Sequence, residues 1–368
     1  MSAAPGRKPN TGVRLKPDPS IRGGSGFSQT PFLGSRIRRV RALVALGAIL
    51  LVAAIAAPAA VADNGGFTLI EPNSPNAEGI ESLFWFVTGF AVFIFLLVEV
   101  ALVLFVAQYR RRKRERFEDG ANIHGSTRLE LLWTAGPVVI LALIAGFVFV
   151  QLSDISDPPE AQAGLDDSLD VSVTGRQFSW QYEYPNGVIS IDTLRVPAGV
   201  PVRLELTAPE EDVIHSWWIP ALQGKRDVIP GSPQELWFRA DRPGRFFGQC
   251  TELCGLEHAK MTTTTEVLPP AAFDAWLDQR LAQQQAGDSP LGEEQWEGVC
   301  AKCHGMEGEG GIAPRIAGSP TLTDREALEE ILRNGRGQMP AVGSEWTEEQ
   351  IDALVDYLTE SPPSGQQG

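Results

Sequence analysis

Cys250-Thr-Glu-Leu-Cys254-Gly-Leu-Glu-His258-Ala-Lys-Met261 is the stretch on which the reading of this chain turns. Two cysteines stand four positions apart, a histidine follows four later, and a methionine three after that. With His215 upstream, the segment concentrates thiolate, thioether and imidazole donors, a set that suits copper. Two thiolates can bridge a pair of metal ions, each of which then takes one imidazole and one weak ligand. A bridged pair shares one change of oxidation state, so little nuclear motion accompanies electron transfer. A distant histidine meeting a Cys–His–Met loop is also how single-copper β-sandwich sites are built, so a β-sandwich is expected around it. The competing arrangement is a Cys250–Cys254 disulfide in an exported domain, which leaves His215, His258 and Met261 without a purpose.

The other two of the four cysteines lie in Cys300-Ala-Lys-Cys303-His304, the C-x-x-C-H pattern of covalent c-type haem attachment. Cys300 and Cys303 are expected to anchor the haem through thioethers, with His304 as proximal ligand. Met339, in Gly337-Gln-Met339-Pro340, is expected opposite it, and His/Met ligation raises the potential. Met306 is too close to His304 to reach the other haem face, and the Pro314 carbonyl is expected to hold the His304 side in place. A bare C-x-x-C followed by a chance histidine is the alternative, against which Met339 and the helical frame both count. Over 290–361 the order is helix, attachment site, Gly-rich loop, methionine and final helix, which resembles a class I cytochrome c domain. Thr347 should cap the final helix, with Gln350 closing the capping box. A chain with these two sites and no other cysteine reads as a wire for electrons.

Working outward, short β-type runs at 171–174, 178–184, 202–206, 235–238 and 261–267 are separated by Pro, Gly and Asn, as in an all-β sandwich or barrel. An amphipathic helix follows over 271–285 with Phe273, Trp276, Leu277 and Leu281 on one face, then a linker at 286–290. Ahead of the β region, the apolar runs 83–107 and 131–152 are each long enough to cross a hydrocarbon layer of ~30 Å. Between them the basic segment from Arg110 to Arg116 should stay in the cytoplasm, which puts both motifs on the outer face. Haem attachment to C-x-x-C-H outside the cytoplasm demands the same side. Residues 1–62 read as a disordered basic leader and a signal peptide cleaved after Ala62, or else as an uncleaved anchor. The formal net charge of −15 argues against a nucleic-acid partner. The resulting segments are 1–62, a membrane hairpin over 63–160, a copper domain over 168–270, helix and linker over 271–289, and a haem domain over 290–361.

Cys-x-Glu-x-Cys-x-x-x-His-x-x-Met, preceded by Asp212-Val-Ile-His215-Ser-Trp, resembles cytochrome c oxidase subunit II. The likeness continues through Lys225-Arg-Asp227-Val-Ile-Pro-Gly231 and Arg242-Pro-Gly-Arg-Phe-Phe-Gly-Gln249. In the membrane part it runs through His124-Gly, Leu129-Glu130 and Trp133-Thr with Pro137. The resemblance implies a two-helix transmembrane hairpin, an all-β cupredoxin-like domain and, here, a fused all-α cytochrome c domain. It implies Cys250 and Cys254 as bridging ligands of copper A, His215 and His258 as terminal ligands, Met261 as a weak ligand, and Glu252 as a ligand through its carbonyl. The Glu252 carboxylate is implied to face a magnesium ion shared with subunit I. Glu130 matches a carboxylate at the mouth of a proton path, although a solvated acid also suits a helix start. His124 has no ligand role. Phe178 stands where many members carry a tryptophan that admits electrons from a separate cytochrome c, while Trp180 reads as strand core.

The implied function is subunit II of a proton-translocating respiratory oxidase in the cell membrane. Electrons would pass from its own haem c to the copper pair and on to a haem–copper site in subunit I. The implied partners are subunit I, the other oxidase subunits, and a donor that is cytochrome c or a quinol–cytochrome c reductase. The alternatives are the corresponding subunit of a copper-A nitric-oxide reductase, and a structural oxidase subunit carrying no electrons. Excess acid between 291 and 368 would favour a basic partner.

Overall fold

The computed structural model of the chain describes residues 69–110, 125–156, 168–287 and 289–364. The leader and signal segment at 1–62, the basic stretch after Arg110 and His124 lie outside the described residues.

Two helices, α1 (Pro75–Tyr109) and α2 (Thr127–Ser156), are long and apolar enough to cross a membrane. Both run past the apolar stretches that announce them, because their starts are set by capping chemistry rather than by hydropathy. Pro75 opens α1, where its missing N–H costs nothing, and the Ser74 hydroxyl accepts the Ala77 N–H at 3.0 Å. At the head of α2 the Glu130 carboxylate accepts the Ser126 N–H at 3.2 Å. Asn76 donates to the Ile155 carbonyl at 2.9 Å, and Phe86 stacks on Phe147 with centroids 4.1 Å apart. The start of α1 therefore lies beside the end of α2.

Ten strands follow: β1 (Leu169–Arg176), β2 (Ser179–Glu183), β3 (Ile189–Ile191), β4 (Thr193–Pro197), β5 (Pro201–Thr207), β6 (His215–Trp218), β7 (Arg226–Val228), β8 (Gln234–Arg239), β9 (Gly244–Cys250) and β10 (Thr262–Leu268). They form two five-stranded sheets, ordered β3-β2-β1-β5-β8 and β4-β10-β9-β6-β7. Alternation drives the pairing: on β5, Val202, Leu204 and Leu206 are buried while Arg203 and Glu205 point outward. β3, β4, β6, β7 and β9 go beyond the strands expected from the sequence. The sandwich sits on the ends of the membrane helices. Asn73 N–H donates to the Ala221 carbonyl at 2.7 Å, and Gln223 bridges the carbonyls of Ile155 and Trp237 at 3.0 and 2.7 Å.

Helix α3 (Pro270–Ala286) buries Phe273 against the sandwich, with Trp276, Leu277 and Leu281 beside it. The C-terminal region is helical. Helix α4 (Leu291–Gln295) passes through a wide turn at Trp296–Cys300 into α5 (Ala301–His304), and α6 (Arg325–Asn334) and α7 (Glu348–Glu360) complete it. A Cβ on Gly292 would meet the Ala353 carbonyl oxygen at 2.0 Å, so α4 and α7 cross where only glycine fits. Thr347 and Gln350 form the expected capping box. Ile189 and Ile191 of β3 share one buried core with Leu291 and Trp296 of the helical region.

Candidate metal centre and haem-attachment site

His215 opens β6, Cys250 closes β9, and Met261 immediately precedes β10. Because β9 pairs with both β6 and β10, three stretches of sequence deliver their donors to one end of the second sheet. The ligand atoms of His215, Cys250 and Cys254 all lie within 4.8 Å of one another, and all three residues are buried. The two Sγ atoms are 3.9 Å apart, well beyond the ~2.05 Å of a disulfide. Cys254 Sγ lies 3.4 Å from His258 Nδ1 and 3.7 Å from Met261 Sδ. The Glu252 carbonyl lies 3.2 Å from Cys250 Sγ, and its side chain is exposed. All six residues expected as copper ligands converge.

His215 carries the clearest mark of a missing partner. Its Nε2 meets Asp212 Oδ1 at 3.2 Å, whereas its buried Nδ1 has no hydrogen-bond partner. A carboxylate fixing one imidazole nitrogen while the other is left bare is the usual support of a metal-bound histidine. Burial opposes charging of His215, but the hydrogen bond with Asp212 and the nearby Cys250 outweigh it and raise the pKa. Burial works against the Asp212 carboxylate too, and the bonds from His215, Val213 and Gln177 more than offset it, so its pKa is lowered. Contact with Cys254 pulls Cys250 down to about 3, while the same contact pushes Cys254 up. Metal binding requires both thiols as thiolates, so the cluster would release protons as it takes up a cation. Two close thiols, a bare imidazole nitrogen, a second imidazole and a thioether fit copper.

The haem segment is arranged differently. His304 Nδ1 lies 2.7 Å from the Pro314 carbonyl, as expected, so the tautomer that donates there leaves Nε2 as its available donor. Met339 is half-buried in a tight turn, with paired bonds of 3.0 and 3.1 Å to Arg336, and it packs on the core that also holds Cys300. Met306 is exposed. Burial pushes the Cys300 thiol up to about 12. The fixed imidazole and the thioether on a shared core fit a haem.

Phe178 is buried, and Trp180 lies in the core with its ring 6.1 Å from that of His215. Glu130 is exposed. Asp212, Asp192 and Lys302 are contributors that the motifs did not single out. Asp212 was visible three residues before His215, whereas Asp192 carried no signal in its neighbourhood.

A membrane-seated β-sandwich with a cluster of soft donors, followed by a c-type cytochrome domain, defines a class of membrane-bound redox subunits. Three family descriptions match: "Cytochrome C oxidase subunit II, transmembrane domain" over 62–150, "Cytochrome C oxidase subunit II, periplasmic domain" over 188–268, and "Cytochrome C oxidase, cbb3-type, subunit III" over 288–358. The chain is 30% identical over 321 residues to cytochrome c oxidase subunit 2 of Alkalihalophilus pseudofirmus, covering 79% of this chain and 90% of that protein. It is 30% identical over 286 residues to the same subunit of Bacillus sp. PS3, covering 68% and 79%. For that of Cereibacter sphaeroides the figures are 32% over 246 residues, covering 56% and 78%. The chain belongs to the cytochrome c oxidase subunit II family, with a cytochrome c domain at its C-terminus. It is a membrane protein with an extracytoplasmic domain, and membership implies a complex with subunit I.

Proposed function

We propose that this subunit accepts electrons at a haem c in its own C-terminal domain and hands them, by way of a copper pair, to the oxygen-reducing site of subunit I, in an enzyme that also moves protons. The bound groups supply one-electron exchange, at a centre of low reorganisation in the copper pair and at a high potential in the haem. Cys250 and Cys254 would hold the copper through their thiolates, with His215 and His258 as imidazole ligands and Met261 and the Glu252 carbonyl as weak ones. The exposed Glu252 carboxylate offers a hard oxygen to a magnesium ion shared with subunit I. Cys300 and Cys303 would anchor the haem, and His304 and Met339 would be its protein ligands. Asp212 orients His215, and the Pro314 carbonyl orients His304. The chain crosses the membrane twice after cleavage behind Ala62, and its segments follow the boundaries read from the sequence. Glu130, at the head of α2, stands at the cytoplasmic mouth of a proton path. The donor is a cytochrome c or a quinol–cytochrome c reductase, received on the acidic haem domain.

The observation that carries this reading is the buried, unpartnered Nδ1 of His215 beside two close thiols. Copper analysis and a haemochrome spectrum of the purified complex test it. Two coppers and one haem c per copy of this chain are expected; a single blue copper would overturn the binuclear assignment.

A further inference from the structure

The residue just before the second haem-anchoring cysteine reaches into the copper domain. Lys302 Nζ lies 2.5 Å from Asp192 Oδ2 and 2.8 Å from the Phe178 carbonyl. Both side chains of the ion pair are largely buried, at 12% and 21% exposure. The Lys302 carbonyl in turn accepts Lys260 Nζ at 3.0 Å, and Lys260 lies between His258 and Met261. Cys303 packs against the core of the copper domain.

Asp192 is held firmly for this contact. Its other carboxylate oxygen accepts the Trp180 N–H at 2.8 Å. Its own N–H donates to the Trp180 carbonyl at 2.7 Å, and its carbonyl accepts the Thr264 N–H at 2.9 Å. These bonds keep a non-glycine residue at φ 56°, in the left-handed region. Opposite it, a Cβ on Gly298 would come 2.5 Å from Ile191 Cγ2 and 3.1 Å from Asp192 Oδ2. The approach of the haem segment is therefore closer than any side chain at 298 permits. Around this contact stand Arg280–Glu294 at 2.7 Å and Arg176–Glu345 at 2.5 Å.

A freely swinging tether needs none of this. A lysine ammonium taken largely out of water is tolerated where a carboxylate meets it, so the Lys302–Asp192 pair permits one register between the two domains. We infer that Lys302 is a positioning residue that clamps the haem-attachment segment onto the copper domain over Phe178, making the cytochrome domain a fixed cover on the surface a separate donor would use. This rests on reading the two motifs as copper and haem sites.

The test uses the full chain in the assembled oxidase, with Asp192→Asn and Lys302→Met made singly and together. Copper and haem contents are measured first, and a wild-type complex lacking either refutes the functional reading and leaves the clamp standing. Hydrogen exchange then addresses the clamp, since it requires no electron transfer. Each single variant should speed exchange at least tenfold in peptides spanning 176–184 and 296–304, while β5 and α6 keep their wild-type rates. The double variant should fall short of the sum of the singles, because no unpaired buried charge remains. Single-turnover transfer from haem to copper should slow at least tenfold in the single variants with the haem spectrum unchanged. Unchanged exchange would overturn the clamp. So would faster exchange throughout α6 and α7, which would make Lys302 a support of its own domain only.

Discussion

The copper centre and the haem segment are built on opposite plans. Copper donors are gathered from β6, the end of β9 and the turn before β10, yet they already touch: 3.9 Å between thiols, 3.4 Å to an imidazole and 3.7 Å to a thioether. The haem anchors are neighbours in sequence, and what prepares them is one carbonyl behind His304 and a shared core under Met339. The sheet makes the first site, whereas a local motif makes the second. Damage to the scaffold should therefore reach copper before it reaches haem.

The sharpest way to break this contrast is Cys254→Ser. Cys254 touches Cys250, His258 and Met261 at once, so its loss removes the hub of the cluster and, in the proposed centre, a bridge. Copper should fall to one ion or none per chain, the mixed-valence electron resonance signal should vanish, and turnover should drop to background, with the haemochrome unchanged. A retained signal would show that the ligand set is wrong.

Asp212→Asn probes the scaffold without touching a ligand. The carboxylate fixes His215 from its far nitrogen, and loss of such support costs about 10–100-fold in metal affinity. Competition against a copper chelator measures this, and the haem spectrum should not move. Met339→Ala is the counterpart on the other side. In the proposed His/Met site, losing the thioether lowers the haem potential, so turnover with the physiological donor should fall about tenfold, equivalent to roughly 1.4 kcal/mol of barrier, while the copper signal persists. Unimpaired turnover in this variant would mean that electrons bypass the cytochrome domain.

The same contrast explains what could be read from sequence. Both donor sets were legible because uncommon side chains recur at short, chemically meaningful intervals, from Cys250 to Met261 and from Cys300 to His304. The membrane helices were legible from their apolar runs, though their ends were not, since Ser74 and Pro75 act through capping. Five strands escaped because their signals are weak: β3 has three residues and is parted from β4 by Asp192 alone, β6 has four, and β9 carries Gly244 and Gly248. The Lys302–Asp192 contact joins positions 110 apart. No periodicity announces such a pair, because only the packing of two domains brings it together.

The smallest effect is expected at Phe178, and it bears on the same division between the two regions. The resemblance read from the sequence implies that this position is where a tryptophan would admit an electron from a separate donor. In this chain Phe178 is buried, its carbonyl is taken by Lys302, and its ring lies 3.1 Å from where a Cβ on Gly255 would stand. On the proposed route, in which electrons arrive through the haem domain, Phe178→Trp should therefore leave turnover with the physiological donor within about twofold. The larger ring must instead find room in a packed site, and overpacking of this kind costs about 1–3 kcal/mol. Thermal unfolding of the variant should show that loss while steady-state rates hold. A several-fold gain in rate would place Phe178 on the normal electron route and erase the distinction between a sheet-built site that receives and a motif-built site that delivers.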